Sequence, residues 1–110
     1  MLNSEKREIA RRYRRRVEVR YGLKTPELTG YSGNISRTGI MIRTTRVFGS
    51  GSILSLELMF PEKTIKARAK VTWAREGTVL LLPSGRVGMG LKFVDPSPEL
   101  LAHLETLGFG

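Results

Sequence analysis

Hydrophobic and polar positions alternate with a period of two through most of the chain. Val17, Val19 and Tyr21 alternate with Glu18 and Arg20, which predicts a half-buried strand. Gly22 to Pro26 reads as a turn, Leu28 to Tyr31 as a short strand, and Gly30 and Gly33 as a bend or bulge. Ile40 and Ile42 alternate in a further strand after Gly39, and Gly49-Ser50-Gly51 is a tight connection. From Ile53 to Phe60, Leu54, Leu56 and Leu58 face opposite to Ile53, Ser55 and Glu57. Beyond the Pro61-Glu62-Lys63 turn comes the longest strict alternation: Ile65, Ala67, Ala69, Val71 and Trp73 inward, with Lys66, Arg68 and Lys70 toward solvent. Val79 to Leu82 is a short apolar run. After Pro83-Ser84-Gly85, Val87, Met89, Leu91 and Phe93 share one face of a last strand.

The period changes at both ends. Ser97 suits a helix N-cap and Pro98 the first helical position. Leu100, Leu101, Leu104 and Leu107 then form an apolar stripe that Gly108 terminates. Residues 4–13 predict a marginal helix, with Ser4 as cap and only Ile9 and Tyr13 on its apolar face. Six or seven short strands followed by one amphipathic helix predict an all-β protein: a small antiparallel barrel with a C-terminal α-helix packed against it. The organisation expected is an N-terminal arm or short helix over residues 1–10 and a single domain over 11–110, without repeats or an interdomain linker.

Composition narrows the function. At 110 residues the chain has room for one core. It has no cysteine, which excludes thiolate nucleophiles and Cys-ligated metals, and its single histidine, His103, supports neither a His-based metal cluster nor a Ser–His–Asp catalyst. No general base and nucleophile can be assembled, so no enzyme, catalytic residue, metal or cofactor is expected. No apolar run is long enough for a membrane span, and the N-terminus lacks the apolar region of a secretory signal; the expected location is the cytoplasm. Net charge is +9, and it is uneven. Residues 1–24 hold nine Lys/Arg against three Glu, and the other 86 residues ten against seven. A basic arm on a nearly balanced body suits an anionic partner: nucleic acid, acidic lipid or a phosphorylated small molecule.

Two clusters can read such a partner. Arg11-Arg12-Tyr13-Arg14-Arg15-Arg16 immediately precedes the first strand, where a flexible arm becomes fixed. Guanidinium groups there can fork onto a phosphate or onto the O6/N7 edge of guanine. Asn34-Ile35-Ser36-Arg37-Thr38-Gly39 is a polar turn before another strand. Asn34 can donate to and accept from a base edge, Ser36 offers a hydroxyl, and Gly39 permits close backbone approach.

On these residues the chain resembles the PilZ domain, the bacterial cyclic di-GMP receptor family. The family pattern, RxxxR in an N-terminal loop followed by a D/NxSxxG turn, is matched by Arg12-x-x-x-Arg16 and by Asn34-x-Ser36-x-x-Gly39. The closing segment GMGLKFVDPSPELLAHLETL resembles the family's glycine-rich last strand and Ser-Pro-Glu helix, so the likeness runs from about Arg11 to Leu107. The resemblance implies a six-stranded antiparallel barrel and a non-catalytic receptor. Arg12 and Arg16 would grip the phosphates and guanines of cyclic di-GMP. Asn34, Ser36 and Gly39 would read one guanine, and an ordered loop would relay the signal to an unidentified downstream protein, with motility, exopolysaccharide or virulence as output. Arg7/Arg11 and Arg11/Arg15 also carry the arginine spacing; Arg12/Arg16 is the pair that Val17-x-Val19 directly follows. Arg11, just ahead of the motif, resembles the arrangement in members that bind a stacked ligand dimer. Asn34 stands where Asp is commoner, which removes a charge-assisted bond to guanine and lowers the expected affinity.

Two alternatives stay open: a ligand-independent adaptor of the same fold, and a small basic nucleic-acid-binding barrel. The second calls for aromatics exposed on the sheet, and with few aromatics in the chain specific nucleic-acid binding is disfavoured. Locally, Asn, Ser and Gly are ordinary turn residues, and a run of arginines is ordinarily a solvated arm. Trp73 reads as core or barrel-rim packing ahead of ligand stacking, and His103 as an inert residue on the polar side of the last helix. Arg37 and Lys92 can lend charge to a ligand face, but exposed cations in strands and turns are usually just solvated. Gly85-x-x-Gly88-x-Gly90 lies in a strand pattern and is no dinucleotide fingerprint.

Overall fold

A computed structural model describes residues 16–77 and 87–109. The residues 1–15, with Arg11 and Arg12, and the Val79 to Leu82 run with its following turn lie outside the described residues. Six strands follow in chain order: β1 (Glu18–Gly22), β2 (Leu28–Ile35), β3 (Gly39–Arg43), β4 (Ile53–Met59), β5 (Thr64–Arg75) and β6 (Gly88–Phe93). They close into a barrel in the order β1-β2-β3-β6-β5-β4, and β4 returns to β1. Each of the neighbouring pairs is antiparallel. Closure leaves none of the six strands with an unpaired edge.

Along β5 as far as Val71, and along the other strands, the inward set is the one that the alternation predicts. Val19, Tyr21, Leu54, Leu56, Leu58, Ile65, Ala69, Val71, Ile40, Ile42, Met89 and Leu91 form one buried cluster. A one-residue slip of any strand would turn its share of this cluster out to water, so the alternation itself pins the register. The helix α1 (Pro98–Leu104) begins as its sequence predicts: Ser97 accepts a hydrogen bond from the Leu100 amide at 3.0 Å, with Pro98 in the first turn. Leu100 and Leu104 are fully buried in the barrel's core cluster. The winding then widens into a single π-helical turn, Glu105–Phe109, instead of stopping at Gly108.

His103 is not on a polar face. It packs edge-on against the Phe60 ring, centroids 4.5 Å apart, with Glu62 at 3.4 Å. Together with the Lys63–Glu99 ion pair at 3.0 Å, this ties the β4–β5 turn to α1.

Tyr21 is the largest polar side chain in the core, and its hydroxyl is satisfied by a closed ring of bonds. It donates to the Arg46 carbonyl at 2.6 Å and accepts from Thr44 Oγ1 at 2.7 Å, while Thr44 accepts from the Arg46 amide at 3.0 Å. Burial raises its pKa above the usual 10.0, against the opposing pull of the Thr44 bond and the Arg46 charge. Removing the hydroxyl in Tyr21→Phe leaves Thr44 and the Arg46 carbonyl short of a partner. The expected loss is about 1–3 kcal/mol of stability, read as a lower denaturant midpoint. The sign with pH follows from the raised value. The neutral phenol's contribution is complete below pH 10.0 and declines as pH rises beyond it, where the unfolded chain releases the proton more readily. The gap between wild type and Tyr21→Phe therefore narrows above pH 10.0.

Candidate functional site

Two irregularities in the ladders build the outer face of β2, β3, β6 and β5. The first is a register shift between Ser32 and Asn34 in the β2–β3 pairing. Tyr31 and Asn34 are three residues apart, and strict alternation would send them to opposite faces. The extra residue, Gly33, restores them to the same side: Tyr31 pairs with Arg43 and Asn34 with Met41. As a result β2 runs on through Gly33 and Asn34 to Ile35, and the polar turn shrinks to the residues between Ile35 and Gly39.

The second shift lies between Val71 and Trp73 in the β5–β6 pairing. Val71 is buried, but Trp73 is 38% exposed. Its pairing with Gly90 places it on the outer surface, not in the core as the alternation through Ile65, Ala69 and Val71 predicts. No rule read along β5 alone reveals this, because the bulge is a property of the pairing with β6. The available signal was Gly90 itself: a Cβ there would run into the Trp73 indole, so the ring lies directly over bare backbone.

These shifts align a row across four strands: Trp73, Gly90, Met41 and Asn34, each the register partner of the next. Beside it runs a second row, Lys70, Lys92 and Gly39. Ser36 joins this row through the turn. Its amide donates to the Gly39 carbonyl at 2.9 Å, and its Oγ accepts from the Thr38 amide at 3.3 Å. Gly39 has no room for a side chain, since a Cβ would collide with the Leu91 carbonyl of β6. Asn34, Ser36, Gly39, Met41, Trp73 and Gly90 together line a shallow cavity of about 250 Å³. Larger hollows exist, among them one of about 420 Å³ between Lys24 and Ser97, but they gather none of the motif residues.

On the other flank, Arg16 lies over the Tyr31 ring, its guanidinium carbon 4.2 Å from the centroid. Val17 anchors this entry to the barrel. Its amide donates to Ser32 Oγ at 2.9 Å and its carbonyl accepts from the Ser32 amide at 2.8 Å. Tyr31 is the outward neighbour of Asn34 on β2, which puts the last arginine of the run one outward position along β2 from a motif residue, though neither Arg16 nor Tyr31 lines the cavity. Of the expected site residues, the structure gathers Asn34, Ser36 and Gly39 into one cavity and sets Arg16 over Tyr31, outside its lining. Arg11 and Arg12 lie outside the described residues. The surroundings are cationic: Arg43 and Arg75 lie in the Tyr31 row and Lys70 and Lys92 in the Gly39 row. None of these four pairs with an acid among the described residues.

The chain belongs to the PilZ domain family, whose pattern matches residues 5–110. Members of this family are generally non-catalytic receptors. Two solved structures share the fold. One is the Bacillus subtilis inhibitor of motility, MotI/DgrA, at 22% identity and a TM-score of 0.71 over 87% of this chain and 46% of that one. The other is the PilZ domain of CeSA from a cellulose-synthesizing bacterium, at 12% identity and a TM-score of 0.62 over 90% of this chain and 95% of that one. The chain thus spans about half the length of the motility inhibitor. No functionally curated protein matches it in sequence. Among the described residues no helix is long and apolar enough to cross a membrane.

Proposed function

We propose that the chain is a receptor for cyclic di-GMP that relays the ligand's presence to a protein partner. The observation that carries this reading is the convergence of Asn34, Ser36 and Gly39 with Trp73 in one cavity, with Arg16 held over Tyr31 on the same strand as Asn34. The chemistry divides among them. Asn34 and Ser36 offer donors and acceptors to a guanine edge, Gly39 keeps the turn free of a side chain, and the Trp73 indole, seated on Gly90, offers its outer face for stacking. Arg16, with Arg12 and Arg11 ahead of it on the arm, supplies forked donors to the phosphates and to the second guanine. Binding by residues of both barrel and arm would draw the arm onto the barrel, and the changed surface is what a partner reads. The two structural neighbours, an inhibitor of motility and a domain from a cellulose-synthesizing bacterium, suit motility or exopolysaccharide as the output.

Isothermal titration with cyclic di-GMP, with cyclic di-AMP and GTP as controls, tests the reading. Heat restricted to cyclic di-GMP supports it, and the stoichiometry separates one ligand from a stacked pair. Absence of heat and of any thermal shift at saturating ligand overturns it in favour of a ligand-independent adaptor. Trp73 supplies an independent readout, because it is the sole tryptophan and it lines the cavity. Its emission is expected to change on addition of cyclic di-GMP and to stay constant with cyclic di-AMP. Trp73→Ala is expected to weaken binding by about 1–3 kcal/mol, the contribution of one base–aromatic stack; because the indole also covers Gly90, the variant melts lower and is titrated at a temperature where it is still folded.

A further inference from the structure

Lys70 on β5 and Lys92 on β6 are register partners on the outer surface. Two ammonium groups directly opposite each other repel, and no acid among the described residues pairs with either. Ile53 and Gly39 flank the pair on the neighbouring strands. Along their own strands the outward neighbours are Arg68 and Thr72 on one side, Gly90 and Val94 on the other. The nearest acid along the chain, Asp95, lines a different hollow with Lys24, Lys66 and Arg68.

The pair lines an open hollow of about 520 Å³ together with Ser50, Gly51 and Thr72. Thr72 also lines the motif cavity, and Lys92 is the register partner of the motif residue Gly39, so the two depressions adjoin at Thr72. Size requires such a neighbour. The motif cavity, about 250 Å³, lies below the roughly 300–1,000 Å³ typical of small-molecule sites, while a cyclic dinucleotide carries two guanines and two phosphodiesters. Its charge needs two cationic flanks as well. Arg16 on Tyr31 marks one side of the Asn34–Trp73 row; the lysine pair marks the other.

We propose that Lys70 and Lys92 form a phosphate subsite contiguous with the guanine cavity, taking the phosphodiester that faces away from the arginine arm. The assignment rests on the receptor reading above. A phosphodiester between the two ammonium groups turns a repulsive pair into a bridged one. This predicts opposite effects on the free and the bound protein, which a purely structural role for the lysines would not produce. It also makes the subsite selective for a ligand with two phosphates spaced across the sheet.

The test is titration of cyclic di-GMP into wild type, Lys92→Gln and the double variant Lys70→Met/Lys92→Met at several salt concentrations, with melting curves of each free protein. The double variant is expected to melt at or above the wild-type temperature because the repulsion is gone. It is also expected to bind roughly 10- to 100-fold more weakly, the loss that removal of charged hydrogen bonds brings. Its plot of log affinity against log salt should be shallower by about one, while Trp73 emission still changes at saturation. Wild type that binds while both variants bind with unchanged affinity and salt slope overturns the subsite and leaves the receptor reading intact. Variants that lose affinity for single-stranded oligouridine but keep cyclic di-GMP binding also overturn it, and make the pair a nucleic-acid surface. A wild type that gives no heat with cyclic di-GMP fails the receptor reading first and the subsite with it.

Discussion

Arg16→Ala is expected to weaken cyclic di-GMP binding by two orders of magnitude or more while leaving the barrel folded. The guanidinium lies over the Tyr31 ring, and an exposed cation–π contact of this kind contributes only about 0.5–1 kcal/mol. Its loss from the free protein is therefore small, and the melting temperature moves by a few degrees at most. The bound state loses far more. A charged group that forks onto a phosphate or a guanine edge makes two bonds of roughly 1.5–3 kcal/mol each. It also arrives already placed, because the Val17–Ser32 bonds hold its backbone and Tyr31 holds its head. Arg16→Lys sharpens the test: it keeps the charge but loses the fork, so it should recover only a fraction of the affinity. If Arg16→Ala titrates like wild type, the functional arginine pair lies elsewhere in the run, and Arg11→Ala and Arg12→Ala then locate it.

Gly39→Ala should be the most damaging single methyl in the motif, and its damage should appear in both stability and binding. A Cβ at this position meets the Leu91 carbonyl, which is backbone and cannot swing aside. Either β3 and β6 separate at the Gly39–Lys92 pair, or the turn that holds Ser36 against the Gly39 carbonyl deforms. Overpacking of this kind costs about 1–3 kcal/mol, which lowers the melting temperature of a domain this size by roughly 5–20 °C. Ligand binding should fall further than stability does, since Gly39 borders the cavity and Ser36 is positioned through it. A thermal melt with a titration at low temperature, where the variant is still folded, separates the two losses. A variant that melts like wild type would mean the strands part without cost. One that melts low yet binds normally would detach the turn from the ligand.

Much of this face was legible along the chain, and the reasons are local. Asn34, Ser36 and Gly39 stand out because their side chains, or the lack of one, suit hydrogen bonding and close approach wherever they occur. Ser97 and Pro98 announce a helix because capping is settled within one turn. Leu54, Leu56 and Leu58 announce a strand because burial on one face imposes a period of two. Trp73 was not legible, since the phase of β5 changes at a bulge that exists only against β6. Tyr31 was hidden for the same reason: its place beside Asn34 depends on the extra residue Gly33 in the pairing with β3. His103, placed on a polar helix face by its spacing, is packed on Phe60 because the β4–β5 turn comes up against α1.

The sequence by itself determined the class of fold, the strands and their inward faces up to the bulge in β5, the cap of the last helix, and which residues carry hydrogen-bonding and cationic chemistry. These follow from side-chain type and spacing over a few residues. Tertiary structure alone decided the strand order that closes the barrel, the alignment of Asn34, Met41, Gly90 and Trp73 across four strands, and the confrontation of Lys70 with Lys92. Such juxtapositions depend on pairing register between segments distant in the chain. Register is set by the burial of the whole inward cluster together, so no single segment encodes it.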